Sequence, residues 1–170
     1  MRVILFRHGP AGTRNASRWP DDARRPLTPA GEDKSRRAAA GLSHIENDVN
    51  RILTSPLERA DRTARIVGEE LGVECVEMLD ALAPGGAHGK VVEALNARPH
   101  GETVVLVGHE PDLGRLAAHL LFKSDTPLPL KKAGACAIRF DGPVRAGAGT
   151  LVWLATPRLL GHVRRKKAAS

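Results

Sequence analysis

Aromatic side chains are nearly missing. The 170 residues contain no Tyr and only Phe6, Trp19, Phe122, Phe140 and Trp153, so a stacking platform for unpaired bases is poorly supplied. Cys75 and Cys136 stand alone without CxxC spacing, which disfavours a disulfide framework or a thiolate metal site and leaves two structural thiols. No apolar run approaches the roughly 18 residues of a membrane span, and Val3 to Phe6 is too short for a signal-peptide core. A cytoplasmic protein without a membrane partner is expected. Acid is also in short supply: 26 Lys and Arg face 19 Asp and Glu, a net charge of +7.

What is present fits one folded domain. Hydrophobic residues at 42% and charged residues at 26% sit near globular averages and exclude disordered or collagen-like classes. A chain of this length buries roughly 70% of its unfolded surface in a single core. The excess positive charge has a place. From Pro157 onward Arg158, Arg164, Arg165, Lys166 and Lys167 occur with no acid, which accounts for five of the seven net charges. Residues 1–157 therefore read as a nearly neutral domain and 158–170 as a basic tail. Nucleic acid is disfavoured as a partner.

Arg2 to Phe6 is a continuous apolar run of the kind found in a buried central strand. Thr28 and Pro29 supply a cap and a first-turn proline for a helix to about Leu42. Arg51 to Thr54 reads as a second strand. Ser55, Pro56 and Glu58 read as a capping box for a helix whose Leu57, Ala60, Ala64, Val67 and Leu71 form one apolar stripe, stopped by Gly72. A strand is predicted over Glu74 to Leu79, a helix near Lys90 to Ala97, and a β-branched strand over Thr103 to Val107. A helix over Pro111 to Phe122 and strands over Cys136 to Phe140 and Leu151 to Ala155 follow. The alternation predicts an α/β fold, a largely parallel central sheet flanked by helices in three layers, with no internal repeat.

Ligands bind beyond the carboxyl ends of strands in such sheets. Here the first strand ends in Arg7-His8-Gly9, the second opens a helix carrying Arg59, and the fourth ends in Gly108-His109. Guanidinium groups clamp phosphoryl oxygens and remain charged at working pH. Nearby cations hold an imidazole neutral and nucleophilic, and Gly9 leaves room for a phosphate to approach. A lone histidine at a strand end is usually an ordinary one; the coincidence at three strand ends is what points to a phosphate pocket. His44, His88, His100, His119 and His162 have no such company. Competing patterns fail: Gly85 to Lys90 lacks P-loop spacing, Leu113 stands where a zinc protease needs its second His, and no Gly-x-Ser-x-Gly elbow occurs.

Arg7-His8-Gly9, Ser55 to Ala60 with Thr63-Ala64, and Val107 to Pro111 resemble the three signature blocks of the histidine phosphatase superfamily, whose fold is like that of phosphoglycerate mutase. Arg25 to Gly31 is similar to a block of its SixA-type phosphohistidine phosphatases. The resemblance spans Met1 to about Pro157. It implies that His8 is the nucleophile and becomes phosphorylated, that Arg7 and Arg59 form the clamp, and that His109 faces the phosphoryl group. It implies hydrolysis of the phosphoenzyme by water, with no metal and no cofactor. Arg62 departs from the Gln of many members, and Arg14 occupies a loop where mutases place substrate contacts.

Members that cleave esters usually carry an acid on the loop after the third strand to protonate the alkoxide. Asp80 is the candidate there, with Glu110 a second. A phosphoramidate leaves as an imidazole of pKa about 6.5 and needs less help, which favours phosphohistidine on a protein as substrate. The alternatives are a small-molecule phosphomonoesterase using Asp80 or Glu110 and, from another class, a basic binding module with a vestigial pocket.

Overall fold

The computed structural model describes residues 1–163; the run Arg164 to Lys167, and with it most of the expected tail, lies outside the described residues. The apolar run at the start forms strand β1 (Arg2–Arg7). It is followed by a 3-10 turn at Asp22–Arg24, helix α1 (Pro29–Leu42), β2 (Val49–Thr54), α2 (Glu58–Leu71) and β3 (Val76–Met78). After a second 3-10 turn at Asp80–Leu82 come α3 (His88–Asn96), β4 (Thr103–Gly108), α4 (Asp112–Phe122), β5 (Ala135–Arg139), β6 (Thr150–Ala155) and α5 (Pro157–Leu160). One six-stranded sheet has the order β3-β2-β4-β1-β5-β6. Pairs β3/β2, β2/β4 and β4/β1 are parallel, whereas β5 and β6 run antiparallel at one side.

Val3 to Phe6 of β1 and Val104 to Val107 of β4 are apolar without a break because both faces of these strands are covered. Val3, Leu5, Val104 and Leu106 point into a core shared with α3 and α4, while Ile4, Phe6, Val105 and Val107 point into a second core under α1, α2 and α5. The result is the expected three-layer α/β sandwich. Thr28 caps α1 by accepting from the Gly31 amide at 3.0 Å, as its sequence predicts.

Three expectations are corrected. Helix α2 begins at Glu58 with Leu57 at its cap and no side-chain cap bond, so no capping box forms. Leu57 keeps an extended backbone before the helix, and Ser55 is withdrawn into the interior for another use. Strand β3 is only three residues long, since it is the sheet edge and pairs with β2 alone. Order also continues past Pro157. Thr156 caps α5 by accepting from the Leu159 amide at 3.3 Å, and Leu160 is fully buried in the second core. Burial of that leucine contributes about 1.5–3 kcal/mol, which fastens the start of the basic segment onto α1.

Candidate active site

Register brings the chemistry together. Arg7 at the end of β1 pairs with Gly108 at the end of β4, and Thr54 at the end of β2 pairs with Val107. The next residues of these neighbouring parallel strands, His8, His109 and Ser55, therefore emerge on one rim. Backbone bonds continue the ladder past the strand ends: His8 N donates to Gly108 O at 3.1 Å and Ser55 N to Val107 O at 3.0 Å. The two imidazoles stand with ring centroids 4.9 Å apart and planes tilted by 55°.

Each ring has a defined proton. Nδ1 of His8 lies 2.7 Å from the carbonyl oxygen of Gly9. A carbonyl only accepts, so the proton sits on Nδ1 and Nε2 keeps its lone pair. Nε2 of His109 lies 2.8 Å from Ser55 Oγ, which also accepts from the Leu57 amide at 3.3 Å. We assign the hydroxyl proton to Nε2, which places the ring's own proton on Nδ1. That Nδ1 is buried without a partner.

The electrostatics follow from burial. His8 is 7% exposed and its pKa is pushed down to about 4, first by desolvation and then by the charges of Arg59, Arg7 and Lys132, against the upward pull of the Gly9 bond. His109 is 3% exposed and falls to about 3, by desolvation and then by His8 and Arg59. Both rings are neutral at physiological pH. Burial also lowers the pKa of both guanidiniums, which nevertheless stay charged.

The arginines are anchored from one side. Arg7 Nη1 donates to Leu130 O at 2.7 Å. Arg59 Nη1 donates to Asp22 O at 2.9 Å, and its Nη2 lies 3.2 Å from the Asp22 carboxylate. Nε of each is buried and unpartnered. Among the described residues only five buried side-chain polar atoms lack a partner, and three belong to Arg7, Arg59 and His109. Such atoms are costly unless something satisfies them, and an anion with several acceptor oxygens does so.

Packing against α1 also requires glycine at position 9. A Cβ there would overlap Ser35 Oγ and stand 2.8 Å from Gly31 O, so α1 occupies that space. The Gly9 amide donates to Thr63 Oγ1 at 3.2 Å, and Thr63 in turn donates to Arg59 O at 2.7 Å, tying the histidine loop to α2. Arg62 points away from the histidines and pairs with Glu32 on α1 at 2.7 Å. Arg14 is largely exposed, 3.8 Å from Asp22.

The two candidate acids are placed differently. Asp80 is exposed and opens the 3-10 turn after β3, where its carboxylate has no hydrogen-bond or ion-pair partner among the described residues. The adjacent Ala81 and Leu82 line a small cavity that also touches His109. Glu110 accepts from the Leu130 amide at 3.0 Å, and burial pushes its pKa up. Composition and motif position do not single out Asp22, Leu130 or Lys132, which act on this site through loops distant in sequence. Among the described residues no group of three His, Cys, Asp or Glu is placed to hold a metal ion, and no helix is long and apolar enough to cross a membrane.

Two buried neutral imidazoles share the carboxyl-end rim of a largely parallel α/β sheet with the guanidiniums of Arg7 and Arg59, and the chain belongs to the histidine phosphatase superfamily. The model of its branch 1 matches residues 3–83. The SixA-type resemblance holds across nearly the whole chain. Phosphohistidine phosphatase SixA of Escherichia coli is 33% identical over 160 residues, 92% of this chain and 94% of that protein. An uncharacterized protein of Picosynechococcus is 38% identical over 168 residues, 94% of this chain and 99% of that one. A solved structure of the protein histidine phosphatase SixA complexed with tungstate superposes with a TM-score of 0.82 at 32% identity, covering 94% of this chain and 99% of that one.

Proposed function

We propose that this protein is a cytoplasmic phosphohistidine phosphatase that hydrolyses phosphohistidine on a partner protein through a phosphorylated His8. The observation that carries the reading is the His8 ring itself: neutral, fixed by Gly9 at Nδ1, with Nε2 free between two guanidiniums. The SixA relative, named for that activity, supports the substrate class.

In the first step the Nε2 lone pair attacks phosphorus as the P–N bond to the substrate imidazole breaks. Arg7 and Arg59 neutralise the charge on the transferring oxygens, and His109 donates its Nδ1 proton as a hydrogen bond to one of them. The substrate ring, protonated on its other nitrogen, departs as a neutral imidazole. In the second step water attacks the phosphoryl group on His8, the new P–N bond breaks, and inorganic phosphate leaves. The positive charge comes from guanidinium groups, so no step runs through a metal.

The carboxylates favour a nitrogen leaving group. Asp22 is held ionised, chiefly by its hydrogen bond to Arg25, and so is a poor proton donor. Glu110 is engaged with Leu130, and Asp80 is solvated. An alkoxide would need one of these acids; an imidazole does not. The free cysteines, with Cys75 exposed, fit a reducing compartment.

The test is to incubate the protein with a phosphohistidine-bearing phosphotransfer domain labelled in the phosphoryl group, quench rapidly and look for label on the enzyme. Wild type is expected to acquire label and release phosphate, and His8→Ala to do neither while remaining folded. Rapid turnover of small esters with phosphohistidine left untouched would overturn the reading.

A further inference from the structure

Glu110 directly follows His109, yet its carboxylate is directed toward the segment between α4 and β5. Its Oε1 accepts from the Leu130 amide at 3.0 Å. The carbonyl of the same Leu130 accepts from Arg7 Nη1 at 2.7 Å. One buried residue, 2% exposed, thus receives Glu110 on its N–H side and Arg7 on its C=O side. The segment is pinned a second time where the Leu128 amide donates to Gly114 O at 2.9 Å. Glycine at 114 makes this possible, since a Cβ would stand 2.8 Å from Glu110 Oε2 and 2.6 Å from Leu128 O.

A guanidinium clamp works only if its fork is aimed before the anion arrives. Arg7 has a single side-chain hydrogen bond among the described contacts, the one to Leu130 O, and its Nε is unpartnered. The position of that carbonyl therefore sets the direction of the fork, and the Leu130 N–H bond to Glu110 holds the carbonyl.

We propose that Glu110 is a positioning residue that aims Arg7 at the phosphoryl group through Leu130, whose N–H it holds and whose carbonyl holds Arg7. The inference rests on Arg7 being part of a phosphate site. Removing the carboxylate leaves the buried Leu130 amide unsatisfied and the segment held only by the Leu128 bond; replacing it with an amide keeps an oxygen for Leu130 and loses only the charge.

The experiment is calorimetric titration of the unphosphorylated protein with inorganic phosphate at neutral pH, with melting temperatures recorded alongside. Glu110→Ala is expected to weaken phosphate binding about tenfold, the cost of one orphaned buried donor, while Glu110→Gln stays within about threefold of wild type. In turnover assays Glu110→Ala should raise KM more than it lowers kcat. A purely structural role would lower the melting temperature and leave phosphate affinity alone. A proton donor would lose kcat on esters in Glu110→Gln with phosphate affinity unchanged. Either result overturns the inference, as does a Gln variant as weak as the Ala one. If Glu110→Ala does not fold, Glu110→Asp, one methylene short of Leu130, replaces it with the same expectation. Wild type that fails to bind phosphate would overturn the site reading and this inference together; wild type that binds, beside an unaffected Ala variant, overturns the inference alone.

Discussion

The hydroxyl of Ser55 lies 2.8 Å from Nε2 of His109, at the meeting of β2 and β4. With the Ser55 hydroxyl donating to Nε2, the His109 ring keeps its own proton on Nδ1. Ser55→Ala removes that control over the tautomer together with the bond that Ser55 Oγ receives from the amide of Leu57, the residue at the start of α2. Phosphoenzyme formation measured by rapid quench should slow about tenfold, the worth of one orienting hydrogen bond in a buried site. An unchanged rate would sink the proton assignment.

Acid should affect His8 only late. The ring stays neutral until pH falls to about 4, so the His8 signals followed by NMR in the unliganded protein should show a midpoint well below the ~6.5 of a free histidine. Stability follows with a definite sign. Between ~6.5 and about 4 the unfolded chain binds the proton that folded His8 refuses, so stability present above ~6.5 is lost progressively as the pH drops to about 4. His109, lowered to about 3, adds to the same loss and extends it further down. Urea midpoints across that range should fall with pH, and less steeply in His8→Gln.

Asp22 competes with an incoming anion. Its carboxylate lies 3.2 Å from Arg59 Nη2, while its backbone carbonyl holds Arg59 Nη1 at 2.9 Å. Asp22→Asn removes the negative charge and retains the carbonyl anchor, so inorganic phosphate should bind several-fold tighter, roughly the effect of a Coulomb interaction of about 1 kcal/mol in a wet site. Weaker binding would mean that the carboxylate chiefly orients Arg59.

The helix after Pro157 belongs to the fold. Leu160 is fully buried against α1, and a Cβ added at Gly41 would collide with the Leu160 backbone. Leu160→Ala should cost about 2–5 kcal/mol in equilibrium unfolding. Gly41→Ala should cost about 1–3 kcal/mol by pushing α5 off α1. Phosphate binding by the folded fraction should be unaffected, because neither residue reaches the strand ends that carry the histidines.

By itself the sequence located the main strands and helices, though neither the shortness of β3 nor α5, and placed two histidines and two arginines at or just beyond strand ends. Apolar runs, the Thr28-Pro29 cap and the Gly72 stop are signals within a few residues of one another, and burial on both sheet faces leaves Val3 to Phe6 of β1 and Val104 to Val107 of β4 without a polar position. Strand ends, where His8 and His109 sit, are legible for the same reason. Tertiary structure decided what those residues can do. It took Ser55 from a predicted cap to the ring of His109, brought Asp22 to Arg59, and placed the Leu130 carbonyl on Arg7, 123 positions away in the chain. Such pairings depend on strand register and on where loops return, and no short-range pattern encodes either. Tautomer, charge state and aim of the clamp therefore became readable only when the three strand ends met in space.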